Sequence, residues 1–422
     1  MSENGLFLLW QNARDKEAEI MEDIRRNFII LDITEIQWTD SAFPRNLQRF
    51  YGEKLIDYND KESHIGKGSF LLIVVRDDNP KYDIRKTSSD NERVNTNFFD
   101  KKTYYREITG GGHKVHSTND EREFKRDIYL LTGNNIKYYD NKDEYAGSYD
   151  HQDKDLFYND GFDSLIQIFE VLNNIYDYIV LRNFEKLPYD FTEGTHGDID
   201  LLFDSIKSKS DAVFILGAIN AFPNDEERVH YSIKVNDKDI FFDFRYIGDK
   251  YYCNKFEKDL LENKYYDKQK KIYIPTLTYY FYSLIYHTFI HKAIVNIEYL
   301  EKLYTMAIKL KISDLHSVND KDGYLSLLYD FMSRNDYIFE RPMDFSVFYN
   351  YDLANLNTSY SLNFDIPLTD QNNYENEIIN YIEDNKNYSI SANSPWSLVY
   401  HLSSLRESII NWYNFKKDSS VL

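Results

Sequence analysis

Near the middle of this chain two aspartates stand one residue apart inside an apolar run, His196-Gly197-Asp198-Ile199-Asp200-Leu201-Leu202-Phe203. Alternation along an extended strand places every second side chain on the same face, so Asp198 and Asp200 point the same way. Leu201 to Phe203 continue as a buried strand. Further on, Asp243 sits in an equally apolar setting, Ile240-Phe241-Phe242-Asp243-Phe244-Arg245. Ionised carboxylates brought together repel one another, and burying an unpaired charge is costly. A divalent cation removes both penalties. The pattern therefore demands two apolar strands whose acids converge, and it predicts Asp198, Asp200 and Asp243 as ligands of Mg²⁺ or Mn²⁺.

Three carboxylates holding two cations suit phosphoryl or nucleotidyl transfer. Asp198 and Asp200 would hold the metal on the donor's phosphates. Asp243 would help hold a second metal that lowers the pKa of the attacking hydroxyl. In this pattern the chain resembles the polymerase-beta-type nucleotidyltransferase superfamily over roughly residues 155–250. That resemblance implies a mixed-sheet core in which a helix, 163–175, and a strand, 178–182, precede the strand with the paired acids. Where the superfamily has a Gly-Ser pair after its first strand, this chain has Leu181-Arg182-Asn183-Phe184. Arg182 and Asn183, with His196 and Gly197, are therefore the candidate phosphate-binding residues.

The first 133 residues alternate strands and helices. Residues 6–10, 28–38 and 70–75 read as strands, and 16–27, 43–51 and 120–131 as helices. The last helix follows Gly110-Gly111-Gly112-His113-Lys114-Val115-His116-Ser117-Thr118-Asn119. This order suggests a small antiparallel sheet covered by helices. The His116-Ser117 step and the acidic helix after it resemble nucleoside diphosphate kinase, which implies a ferredoxin-like fold with His116 as a phosphate-accepting nucleophile. The same resemblance assigns Arg106 to phosphate binding and Phe50-Tyr51 to nucleotide stacking, and a domain that only binds a nucleotide or phosphorylated acceptor would use His116, His113 and Arg106 as ligand contacts. Trp10 stands where that family has a lysine, and His113 where it has an asparagine.

The expected fold class is α+β, divided into 1–140 (kinase-like), a linker 141–160, a nucleotidyltransferase core 161–265 and a mainly helical region 266–422. Residues 134–160 show little periodicity. Pro275 opens a helical stretch from 276 to about 310, as proline does in a first turn. Within it His287 and His291 share a face, next to Lys292. Helices are also expected over 324–332 and 396–415.

The formal net charge of −20 disfavours long nucleic acids, which are bound through surplus Lys and Arg, and favours a nucleotide or nucleotide-activated donor with a small-molecule or glycan acceptor. Cys253 is the single cysteine, so neither an intramolecular disulfide nor a cysteine-built metal site is available. No signal peptide or transmembrane segment is read, and a cytoplasmic location is expected. Composition does not address oligomeric state. The leading expectation is a transferase of nucleotidyl or phospho-polyol or phospho-sugar groups, with surface polysaccharide as the pathway suggested by analogy. The alternatives are a phosphotransferase acting through His116 and a non-catalytic nucleotide-sensing or defence protein.

Overall fold

The computed structural model describes residues 2–52, 58–87, 90–189, 198–223 and 228–354, with the backbone of 368–369. His196, Gly197 and the helix expected over 396–415 lie outside the described residues. The fold is α+β with mixed sheets. It divides into two compact units. One comprises the described residues up to Asp177 with Lys207–Ile219 and Ile233–Ile240; the other comprises Tyr178–Ile206, the described part of Asn220–Ser232 and the described residues from Phe241 onward.

The first unit opens with β1 (Glu3–Leu9), α1 (Glu17–Asn27), β2 (Ile29–Gln37), α2 (Phe43–Tyr51), α3 (Tyr58–Ile65) and β3 (Phe70–Asp77). Three elements that periodicity does not disclose follow: a hairpin of β4 (Tyr82–Lys86) and β5 (Asn91–Asn95), and the helix α4 (Thr96–Ile108). The aromatics of α4 come as adjacent pairs, Phe98-Phe99 and Tyr104-Tyr105, which blurs the helical repeat. Its start is set instead by Asn95, whose side chain accepts the Asn97 N–H.

After α4 come β6 (Val115–Ser117), α5 (Glu121–Thr132), the short α6 (Lys137–Asp140), β7 (Asp150–Asp153) and α7 (Leu165–Ile175). Asp120 caps α5 by accepting the Glu123 N–H, and Gly133 ends it in the left-handed conformation. The sheet order is β6-β1-β3-β2-β7, with the first four strands antiparallel. β7 adds in parallel to the edge at β2. Residues 141–160, expected as a linker, thus contribute an edge strand. All four of its residues are polar and exposed, so its pairing rests on backbone bonds that a hydrophobicity pattern does not record. The core beneath this sheet contains Phe7, Leu9, Ile73, Val75, Phe98 and Tyr105.

The chain continues through β8 (Tyr178–Val180), β9 (Ile199–Phe203), α8 (Ile206–Leu216), β10 (Ile219–Asn220), β11 (His230–Val235) and β12 (Lys238–Tyr246). These strands form a sheet of order β10-β11-β12-β9-β8. β9 runs antiparallel to β8 and parallel to β12. Every residue of β9 is buried, as an apolar run covered on both faces requires.

Beyond the sheet lie α9 (Asn254–Glu262), a hairpin of β13 (Lys264–Asp267) and β14 (Ile272–Pro275), α10 (Leu277–Phe289), β15 (Val295–Asn296), α11 (Ile297–Lys309) and α12 (Lys321–Arg334). The single helical stretch expected over 276–310 is two helices. The second begins where Asn296 accepts the Glu298 N–H and caps α11. Among the described residues no helix is long and apolar enough to cross a membrane.

Candidate functional site

The second unit contains a pocket of about 480 Å³ whose lining includes Asp198, Asp200 and Asp243. Parallel pairing sets Asp243 on β12 directly across from Asp200 on β9. Neighbours in register share a face of the sheet, and Asp198, two residues before Asp200, lies on that face as well. The three acids that sequence singled out are thus brought together on one face of one sheet.

Their partners differ. The Arg182 guanidinium is ion-paired with the Asp200 carboxylate, and both side chains are buried. Local backbone bonding produces this pairing. The Leu181 N–H donates to the Asp200 carbonyl at 2.9 Å, which lays the residues after β8 alongside β9. Arg182 was expected to bind phosphate, and in this structure it neutralises Asp200. Asn183, at φ 56°, accepts from Lys302 Nζ at 3.3 Å, and both residues line the pocket.

The ligand atoms that converge are those of Asp198, Asp243 and His230, all within 4.8 Å of one another. His230 Nε2 is 3.5 Å from Asp243 Oδ1, and its Nδ1 is 3.7 Å from Asp344 Oδ2. Arg245 reaches Asp243 at 3.4 Å and Asp249 at 3.5 Å, with its guanidinium 3.7 Å above the Tyr251 ring. Tyr251 Oη and His287 Nδ1 share a hydrogen bond of 2.6 Å. His287 and His291 are both buried and line the same pocket, beside Lys292.

Charge in this cluster is unevenly held. Burial, and then the neighbouring Asp243, push the Asp198 carboxyl up to about 7. Burial also raises Asp200 in spite of Arg182. Burial acts on Asp243 in the same sense, but His230, Arg245 and Arg182 together bring it below the usual carboxylate range. Burial and nearby cations hold His287 and His291 neutral.

Several buried polar atoms of the pocket make no hydrogen bond: His230 Nδ1, Asp243 Oδ1, Arg245 Nε and Nη1, His287 Nε2 and both nitrogens of His291. Buried polar groups are paired in the great majority of cases, so this concentration leaves room for partners that water or a ligand would supply. Carboxylate oxygens with one imidazole fit a divalent cation.

Sequence reasoning did not single out His230, Arg245, Asp249 or Tyr251. His230 is one polar residue at the start of an alternating strand, and nothing in the linear pattern ties it to Asp243. Arg245 stands two residues after Asp243, hence on the same face of β12. That spacing was the one available signal.

In the first unit, His116 is buried on β6 and its Nε2 lies 2.8 Å from Asp127 Oδ2 on α5. An ionised carboxylate only accepts, so Nε2 carries the proton and donates. Arg126 closes the other side of Asp127 at 2.7 Å. Phe50 and Tyr51 stand edge-on to the imidazole, and Tyr51 Oη accepts from Trp10 Nε1. Arg106 Nε donates to the Val115 carbonyl at 2.7 Å. Burial lowers His116 to about 4, against the pull of Asp127. His113 is also lowered to about 4, by burial and then by Lys61 and Arg106. The structure brings His113, Arg106 and His116 to the ends of α4 and β6, but the polar atoms named here are engaged within the fold.

The chain matches no protein-family model and no curated protein, so the reading of the pocket rests on its residues.

Proposed function

We propose that the second unit is a divalent-metal-dependent transferase that moves a nucleotidyl, phospho-polyol or phospho-sugar group from a nucleotide-activated donor to a small-molecule or glycan acceptor. The observation that carries this reading is the register of Asp243 against Asp200 on parallel strands, with Asp198 on the same face and all three lining one pocket. The mixed sheet, in which the acid-bearing pair is parallel and β8 antiparallel, supports a nucleotidyltransferase-like core. In the first unit, the antiparallel order β6-β1-β3-β2 supports the ferredoxin-like reading.

Asp198 and Asp243 would hold the cation, with His230 as a nitrogen donor beside them; that mixed set suits Mn²⁺ at least as well as Mg²⁺. The bound cation would neutralise donor phosphate and acidify the attacking hydroxyl. Asp200, paired with Arg182, lines the site without being left to the cation. Lys292 and Arg245 add positive charge where a phosphate would enter.

Incubating the full chain with Mn²⁺ or Mg²⁺ and a panel of nucleoside triphosphates and CDP-linked polyols, with mass spectrometry for released pyrophosphate or CMP, tests the proposal. Asp198→Asn should abolish release and leave the thermal melt nearly intact. Undiminished release in that variant sinks it. A second reading, phosphotransfer through His116, is favoured by the Nε2–H tautomer that Asp127 selects, which leaves a lone pair on Nδ1. It requires an acid-labile, base-stable label from radiolabelled ATP that His116→Ala removes, and no label counts against it.

A further inference from the structure

A second group of metal-ligating side chains converges in the first unit, on residues that the proposed transfer does not use. Asp60 and His64 lie four residues apart on α3 and so share a face of the helix. His113 reaches them from the turn between α4 and β6. One ligand atom from each of the three lies within 4.8 Å of the others. His64 Nδ1 is 3.6 Å from Asp60 Oδ2, and the rings of His64 and His113 have centroids 5.6 Å apart. His64 Nδ1 is buried and makes no hydrogen bond.

The turn that delivers His113 is shaped for this approach. Gly110, Gly111 and Gly112 have φ of 85°, 86° and 76°, a run that side chains would strain. A Cβ at Gly112 would stand 3.1 Å from Cγ and Cδ2 of His64, so glycine lets the backbone lie against that imidazole. Neighbouring groups have other employment: His116 holds Asp127, Arg106 holds the Val115 carbonyl and Lys114 Nζ the Thr109 carbonyl.

We propose that Asp60, His64 and His113 form a transition-metal site, suited to Zn²⁺, that ties α3 to the glycine turn before β6. Two imidazoles and a carboxylate favour Zn²⁺ and Co²⁺ over Mg²⁺, and three protein ligands leave a fourth tetrahedral position for water or an anion.

The test titrates Zn²⁺ and Co²⁺ into the full chain carrying Asp198→Asn and Asp243→Asn, which disables the carboxylate pocket, using calorimetry and Co²⁺ visible absorption. One equivalent with a tetrahedral Co²⁺ spectrum is expected. His64→Ala and His113→Ala should each weaken binding roughly 100-fold or more, since changes outside the first ligand shell already cost about 10–100-fold. Gly112→Ala, which keeps all three ligands and alters only their approach, should weaken it about tenfold. Circular dichroism checks each variant's fold. Should a histidine variant not fold, X-ray absorption of the Zn²⁺-loaded parent decides between two imidazole ligands, as expected, and none. A parent that takes up neither metal, or folded histidine variants that bind as tightly as the parent, overturns the assignment.

Discussion

Both units set a histidine beside a buried aspartate, but only one of the two pairs is closed. In the first unit His116 donates to Asp127, Arg126 covers the other carboxylate oxygen, and Phe50 and Tyr51 enclose the ring. In the second, His230 stands 3.5 Å from Asp243, and both residues keep a buried atom without a hydrogen bond. A satisfied network rigidifies a core, whereas an unsatisfied one is costly unless something else completes it. The contrast favours the second unit over His116 as the seat of the proposed transfer and leaves the His116 pair holding β6 against α5.

The strongest challenge to this contrast is removal of the pocket's acids. Asp198→Asn with Asp243→Asn should lower Mn²⁺-dependent donor consumption by roughly 10³-fold or more, the scale set by losing a preorganised electrostatic contact. Equal turnover in parent and variant would erase the distinction between the units.

Arg182→Met comes next, because it leaves Asp200 buried without its partner. A loss of about 3–5 kcal/mol is expected in denaturant unfolding, and Arg182→Met with Asp200→Leu should recover most of it. A cost near zero would mean that Asp200 remains available to a cation, and the pocket would then hold three metal-ligating carboxylates.

The closed pair makes a prediction in pH. His116 has a folded pKa of about 4, below the ordinary 6.5, so the unfolded chain binds the extra proton between those values. Stability from this group is present above pH 6.5 and drains as pH falls through 4, by up to about 3 kcal/mol. His116→Gln should flatten that part of the unfolding free energy against pH. An unchanged slope would mean that the histidine is charged when folded, and the assignment of a neutral, closed pair would fail.

The smallest effects should be alike in both units. Asp120→Ala on α5 and Asp320→Ala on α12 each remove a capping acceptor and should cost about 1 kcal/mol in thermal unfolding. If either also changed Mn²⁺ affinity, the pocket would be coupled to helix ends that the comparison treats as purely structural.

Much of this was legible from residues alone. Strands such as β1 and β3 are nearly continuous apolar runs, and α1, α2 and α5 have clear apolar spacing or capping residues, so each was placed to within a few positions. The elements missed were those built without such a signal. β7 is a strand of four polar residues, α4 has its aromatics in adjacent pairs, and the break between α10 and α11 rests on a single asparagine cap.

For the site, the spacing Asp198-Ile199-Asp200 determined by itself that two acids would face one side of a strand, because side-chain direction alternates along any strand, and the apolar frame around Asp243 marked a third acid in a buried strand. Tertiary structure alone decided the register that sets Asp243 against Asp200, and with it which carboxylates stay available. The bond from the Leu181 N–H to the Asp200 carbonyl brings Arg182 onto Asp200, and β11 brings His230 to Asp243. Contacts between residues distant in sequence depend on how strands pair and turn, and the local pattern of side chains does not encode that pairing.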